Sequence, residues 1–286
     1  MIYLSRFSFP DKETEYNVYF GEKRTCHDSF YPFGILSRNA FSVIDFEPIT
    51  ILYGDNGSGK STALNVIAEK LKTERGALFN RSAFMEKYTD LCDYETRSPI
   101  PPESRIITSD DVFDFMLDLR ALNEGLDRKR GELFEEYTDA KYSKFRFRSL
   151  DDYEQLKKVT AARSKTQSRY IRENLMDNVR EHSNGESALI YFADKIKENA
   201  LYLLDEPENS LSPAKQMELL EFLENSVRFF GCQLIIATHS PFILSLRGAK
   251  IYDLDENPVD VKKWTELPNV VAYCEFFKKH SRDFEK

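Results

Sequence analysis

At 286 residues, 41% hydrophobic and 13% aromatic, the chain is long enough for one large domain, or for a domain with a sizeable insertion, around a true core. A charged fraction of 31% with a net charge of −8 excludes a uniformly basic nucleic-acid coat, though not a local basic patch. No apolar run approaches the roughly 18 residues that span a bilayer, and "MIYLSRFSFPDKE" holds no signal-peptide core. The four cysteines, Cys26, Cys92, Cys232 and Cys274, are scattered without a CxxC pair, so reduced thiols in a cytoplasmic protein are expected rather than disulfides or a zinc site.

In chain order, "MIYLSRFSF" and "EYNVYF" alternate apolar and polar residues and predict half-buried strands. "AFSVIDF" (40–46) predicts a third strand, and Pro48 separates it from the apolar run "ITILY" (49–53). Residues 61–72 put Leu64, Ile67, Ala68 and Leu71 on one helical face. From about 75 to 182 the character changes: a loop at 97–104, a short strand "RIIT" at 105–108, a helix at 110–126, and a charged stretch at 127–182. That stretch is expected to form two helices as an arm, broken near Gly131. Residues 141–182 hold eleven Lys/Arg against six Asp/Glu, which fits a solvated helical face or a nucleic-acid contact. Compact α/β patterning returns after 183, with helices at "SALIYFADKIK" and 214–230, buried strands at 200–207 and 232–241, and a last strand at 249–255. Apolar strands alternating with helices predict a mostly parallel sheet with its ligand at the strands' carboxyl ends.

Four motifs fall on those elements. Gly54 to Ser61, within "YGDNGSGKST", fits GxxxxGK[ST] between a strand and a helix. Glycines let backbone N–H groups curl around phosphates, and the helix N-terminus adds positive potential. The candidate nucleotide ligands are Gly54, Asn56, Gly57, Ser58, Gly59, Lys60, Ser61 and Thr62, with Lys60 on the β- and γ-phosphates and Ser61 on Mg²⁺. In "LYLLDEPENSLS" (201–212), four apolar residues carry Asp205 and Glu206 to a strand's end. Asp205 is the expected Mg²⁺ residue, and Glu206 the base that polarises the attacking water. In "IIATHSP" (235–241), His239 ends a buried strand where its ring can reach the γ-phosphate or that water. The turn Ser183, Asn184, Gly185, Glu186 opens a helix and offers a second anion-binding terminus, or an ordinary helix cap.

Together these residues resemble the ABC-type ATPases, with Walker A at 54–61, a signature turn at 183–186, Walker B at 201–205 followed by Glu206, a D-loop at 209–212 and a His239 switch. "LLDEPENSLSP" and "IIATHSP" are more similar to the soluble branch of Rad50, SMC and RecF proteins and small AAA-labelled ATPases than to transporter subunits. The resemblance covers roughly 1–75 and 183–255. It implies a P-loop NTPase fold with an ABC-like parallel sheet flanked by helices, an N-terminal antiparallel β part and an inserted helical arm. The domains implied are a nucleotide-binding domain from 1–75 and 183–286, and an arm at 76–182.

It further implies ATP and Mg²⁺ as ligands and a head-to-tail homodimer in which the 183–186 turn completes the partner copy's site. An output to DNA through 141–182, or to a nuclease or other effector encoded elsewhere, rests on the same likeness. The chain departs from the family in lacking a Q-loop glutamine: Ser109, Asp110 and Asp111 stand where that loop belongs. Tyr31 and Phe33 lie at the distance of an adenine-stacking aromatic, or pack in the core. The alternative is the ATP-binding subunit of a membrane transporter, which would engage its partner near the missing glutamine; a nucleotide-dependent scaffold without turnover is a third reading, against which the intact Glu206 argues.

Overall fold

The structure is a computed structural model that describes residues 1–21, 29–79, 81–144, 152–175 and 184–284. The chain forms two compact units, Met1–Phe113 with Asn184–Lys286, and Asp114–Ser183.

In the first unit the chain enters as strand β1 (Leu4–Ser8) and helix α1 (Lys12–Gly21). It continues through β2 (Val43–Asp45), β3 (Ile49–Tyr53), α2 (Lys60–Leu71), β4 (Glu74–Arg75), α3 (Met85–Asp90), β5 (Asp93–Thr96) and β6 (Arg105–Thr108) into the long helix α4 (Ser109–Tyr142). The second unit adds α5 (Tyr153–Ser164) and α6 (Gln167–Asn174). The chain then returns as α7 (Asn184–Lys195), β7 (Leu201–Asp205), α8 (Pro213–Phe230), β8 (Gln233–Ala237), α9 (Pro241–Leu244), β9 (Lys250–Asp253), β10 (Asp260–Lys262) and α10 (Pro268–Lys279).

Seven strands form the main sheet in the order β10-β9-β3-β8-β7-β6-β4, all parallel except the antiparallel edge pair β9/β10. The α/β class with a mostly parallel sheet is therefore as expected. β3, β7 and β8 sit in its middle and are apolar and buried almost throughout, as strands covered on both faces must be. Their carboxyl ends lie side by side: Asp205 is in register with Ala237, and Leu52 with Ala237 on the other side. That register delivers the 54–61 loop, Asp205–Glu206 and the His239 loop to one edge.

A second, antiparallel sheet of order β2-β1-β5 belongs to the same unit. Gln233, fully buried, ties it to the main sheet. Its side-chain oxygen accepts from Tyr3 N at 2.8 Å and Leu4 N at 3.0 Å, and its amide donates to Leu4 O at 2.8 Å. These bonds satisfy backbone groups that would otherwise be buried without partners. Phe7, Ile44, Leu52, Leu64, Ile67 and Tyr88 fill the core between the layers.

Three local differences from the expected elements have physical causes. "EYNVYF" is helical, not a strand: Asp11 accepts from Thr14 N at 2.8 Å and starts α1, which is further anchored by buried Glu15 taking Gly34 N at 2.8 Å and Ser37 Oγ at 2.6 Å. The alternation there reflects aromatics on a short helix rather than a pleat. Gly131 does not break the arm, since α4 runs through it; an exposed helical glycine costs only about 1 kcal/mol. The stretch after β9 adds the antiparallel strand β10.

In the second unit Tyr137, Ala162, Tyr170 and Ile171 form a small separate core. Among the described residues, several of its basic side chains have acidic partners close by. Lys157 pairs with Glu154 at 2.9 Å, Lys158 with Glu136 at 3.0 Å, and Arg169 with Glu173 at 2.9 Å, while Lys165 also pairs with Glu173.

Candidate functional site

The loop after β3 is shaped by its glycines. A Cβ on Gly54 would lie 2.6 Å from Ser58 Oγ, and one on Gly59, whose φ is +101°, would lie 3.0 Å from Leu36 Cδ2. No side chain fits at either place, so the backbone can wrap tightly before α2 begins. Lys60, only 4% exposed, turns back into the loop and donates to Gly54 O at 2.6 Å and Asp55 O at 3.0 Å. Asp255 holds the loop's other side by accepting from Asp55 N at 2.8 Å.

A cleft of about 320 Å³ opens above this loop. Asn56, Gly57, Ser58, Gly59, Lys60, Ser61 and Thr62 form its floor; Ile35, Arg38, Asn39 and Glu206 form the walls. Ser58 Oγ is buried there with no hydrogen-bond partner. An orphaned hydroxyl, the bare N–H groups opening α2 and a buried lysine amine make a donor-rich, anion-accepting cradle.

Ser61 and Asp205 meet across the sheet end, with Ser61 Oγ donating to Asp205 Oδ1 at 3.0 Å. Burial pushes the Asp205 carboxyl up to about 6, opposed by that hydrogen bond and by Lys60, and helped by Glu206. A hydroxyl and a carboxylate at a phosphate loop are the hard oxygen donors that Mg²⁺ takes alongside phosphate and water, so these residues fit that ion. Among the described residues no cluster of three or more His, Cys, Asp or Glu could hold a metal by itself.

The raised Asp205 pKa has a definite sign. Between its unfolded value, near 3.9, and about 6 the folded chain binds the extra proton, so this contribution to stability is complete below that window and is lost as pH rises through 6. Asp205→Asn should therefore stabilise the chelator-treated protein by roughly 1–2 kcal/mol at pH 8, discounted for partial solvent access, and by little at pH 4. Thermal melts in EDTA at the two pH values check this; an unchanged pH slope would contradict it.

Glu206 has a left-handed backbone, φ +48°, uncommon for a residue with a side chain. Its N–H donates to Ala237 O at 2.9 Å, and Asn209 Nδ2 donates to its Oε2 at 3.0 Å. The His239 ring, half exposed, has Nδ1 at 3.7 Å from Glu206 Oε1 and 3.7 Å from Glu208 Oε1. Asn269 Nδ2 holds the His239 carbonyl at 2.7 Å.

Of the signature turn, Ser183 lies outside the described residues. Asn184 opens α7, Glu186 is exposed, and Gly185 packs against α8 and the turn before it: its absent Cβ would lie 3.1 Å from Lys215 Cγ and 3.7 Å from Leu211 Cδ2. Of the described side chains of that turn, neither Gly185 nor Glu186 lines the cleft above the chain's own phosphate loop.

Asp111 is not free for a metal or water. It is 5% exposed, its Oδ1 accepts from Ala77 N at 2.5 Å, and its Oδ2 accepts from Thr108 N at 2.7 Å and Thr108 Oγ1 at 2.8 Å, a capping box at the start of α4. Phe33 stacks edge-on to Tyr88 at 4.9 Å; both Phe33 and Tyr31 pack on the core and neither lines the phosphate cleft. The walls that sequence reasoning missed are Ile35, Arg38 and Asn39, whose 30–40 segment carries no motif. It also missed Glu208, whose partners lie thirty residues away.

The family described as "AAA domain, putative AbiEii toxin, Type IV TA system" matches residues 98–245, just over half of the chain. The chain belongs to this AAA family. A relative, the "Probable ABC transporter ATP-binding protein in ycf23-apcF intergenic region" of Cyanophora paradoxa, is 23% identical over 227 residues, covering 79% of each chain. Among solved structures, an SMC head domain bound to the C-terminal domain of ScpA, from Pyrococcus furiosus, is 14% identical with a TM-score of 0.40, covering 82% of this chain and 95% of that one. "An inward-facing conformation of a putative metal-chelate type ABC transporter" is 17% identical with a TM-score of 0.37, covering 80% and 78%. This AAA family member is thus a P-loop ATPase, and the phosphate-loop cleft is its candidate nucleotide site. Among its described residues no helix is long and apolar enough to cross a membrane.

Proposed function

We propose that the chain binds Mg-ATP in the phosphate-loop cleft, hydrolyses it, and dimerises head to tail so that residues 183–186 of each copy complete the other's site. The observation that carries the reading is the meeting of Ser61 with Asp205 at 3.0 Å, on a cleft floored by Lys60 and walled by Glu206. Lys60 exchanges its two loop carbonyls for phosphate oxygens and neutralises charge that develops there. Ser61 and Asp205 would hold Mg²⁺, which when bound supplies further neutralisation at the phosphate oxygens. Glu206 accepts the proton of the attacking water, and His239, 3.7 Å from that carboxylate, orients the water or the terminal phosphate.

The dimer is supported by Gly185 and Glu186, neither of which lines the cleft of its own chain, and by the resemblance. The output, to DNA through 141–182 or to a nuclease or other effector, rests on that resemblance and on the toxin named in the family description. The alternative of a transporter's ATP-binding subunit is favoured by the Cyanophora relative's name; against it stands Asp111, closed into a capping box where the transporter glutamine belongs.

Ser183→Arg tests the reading. Turnover should fall by about 100-fold or more, with ATP affinity within threefold of the parent, measured by phosphate release and equilibrium binding. An equal loss of binding would place the turn on its own subunit's nucleotide and end the trans-site reading.

A further inference from the structure

Between Glu206 and the helix α8 lies a turn, 208–212, joined to the His239 loop by two side chains. Glu208 is 5% exposed, and one of its oxygens, Oε1, accepts from Thr238 Oγ1 at 2.5 Å, His239 N at 3.2 Å and Ser240 N at 3.2 Å. Gln216, in the first turn of α8, closes the other half: its amide donates to Leu211 O at 3.0 Å while its oxygen accepts from Ser240 Oγ at 2.6 Å. The backbone that carries His239 is therefore fixed to the 208–212 turn rather than by its own strand alone.

The same turn meets the start of α7, where Leu211 Cδ2 faces Gly185, and it meets the hydrolytic carboxylate, where Asn209 donates to Glu206. Glu208, Gln216, Ser240 and His239 itself border a cleft of about 580 Å³, walled further by Pro213, Phe242 and Trp264, so open space adjoins the clasp and the histidine it carries. A hydrogen-bonded joint between two loops, with free space beside it, passes displacement of one loop to the other.

We propose that Glu208 and Gln216 are positioning residues: a clasp that makes the placement of His239 depend on the 208–212 turn, and so ties hydrolysis to whatever moves the start of α7 and that turn. This rests on the ATPase reading above and names the regulation of that same site. On it, docking of the second copy would be felt at His239 through Leu211, Gln216 and Ser240, with no contact between the second copy and the histidine itself.

The test compares Glu208→Leu, Glu208→Gln and Gln216→Leu in the full chain, reading kcat and KM for Mg-ATP turnover beside ATP affinity. Glu208→Leu removes the acceptor of three donors and should lower kcat about 100-fold with KM within threefold. Glu208→Gln keeps one carbonyl oxygen for those donors and should hold kcat within about threefold of the parent. Gln216→Leu leaves Glu208 in place and should lower kcat about 10-fold. A double mutant of Glu208→Leu and Gln216→Leu should fall by less than the product of the two single losses, as members of one joint do.

The proposal is overturned if Glu208→Leu keeps kcat within threefold, if kcat and ATP affinity fall together in both leucine variants, or if Glu208→Gln is as impaired as Glu208→Leu. Should Glu208→Leu fail to fold, Gln216→Leu with an unchanged kcat overturns it alone. Failure of the underlying reading looks different: the parent chain would then show no Mg-ATP turnover that Lys60→Ala removes.

Discussion

Glu206→Gln is expected to slow ATP turnover by about 1,000-fold, within the range for loss of a general base. The exchange keeps the shape of the side chain and can keep the bond from Asn209 by offering its carbonyl oxygen, so the cleft should stay intact. Binding should therefore persist while hydrolysis stops. If the 183–186 turn of a second copy closes over the bound nucleotide, the variant accumulates as a dimer in Mg-ATP and returns to monomer when the nucleotide is removed. Light scattering with and without Mg-ATP reads this directly. A nucleotide-saturated variant that remains monomeric at tens of micromolar would remove the head-to-tail dimer, and with it the role of Gly185 and Glu186 across the interface.

The second large effect is at Lys60. Its side chain is buried, and its amine donates to two loop carbonyls. Lys60→Ala should cost about 3 kcal/mol of ATP binding, roughly 100-fold in affinity, because a charge-assisted contact to phosphate is lost from a site shielded from water. It also leaves Gly54 O and Asp55 O without their donor, so a modest loss of thermal stability should accompany it. Titration with a fluorescent ATP analogue measures the first effect, and a melt measures the second. An affinity within a factor of three of the parent would mean that the nucleotide lies elsewhere than on this loop.

Much of this site was legible in the sequence because its logic is local. Glycine spacing, a following lysine and an apolar run before them state a strand, a bare loop and a helix within fourteen residues; Asp205–Glu206 and His239 end their strands in the same way. Parallel pairing then does the rest, since three apolar strands in register put their ends together. What was not legible depends on contacts between distant segments. Arg38 and Asn39 reach the cleft only because 30–40 folds against the loop, and Glu208 reads as one more acidic residue in a polar turn until Thr238, His239 and Ser240 are seen converging on it. The alternation of apolar and polar residues in "EYNVYF" suggested a strand, yet the Asp11 cap and the burial of Glu15 against Gly34 and Ser37 decided for a helix. The left-handed turn at Glu206 left no mark in the residue type at all.

The sheet order carries a consequence for how the chain is made. β3 finds both of its neighbours, β8 and β9, near residues 234–237 and 250–253, about 200 residues downstream. At the usual 5–20 residues per second of synthesis, "ITILY" leaves the ribosome and waits about 10–40 s without either partner. Four apolar residues and Thr50 make an adhesive segment during that interval, and the Glu47-Pro48 pair before them and Asp55 just after are residues of the kind that guard such segments.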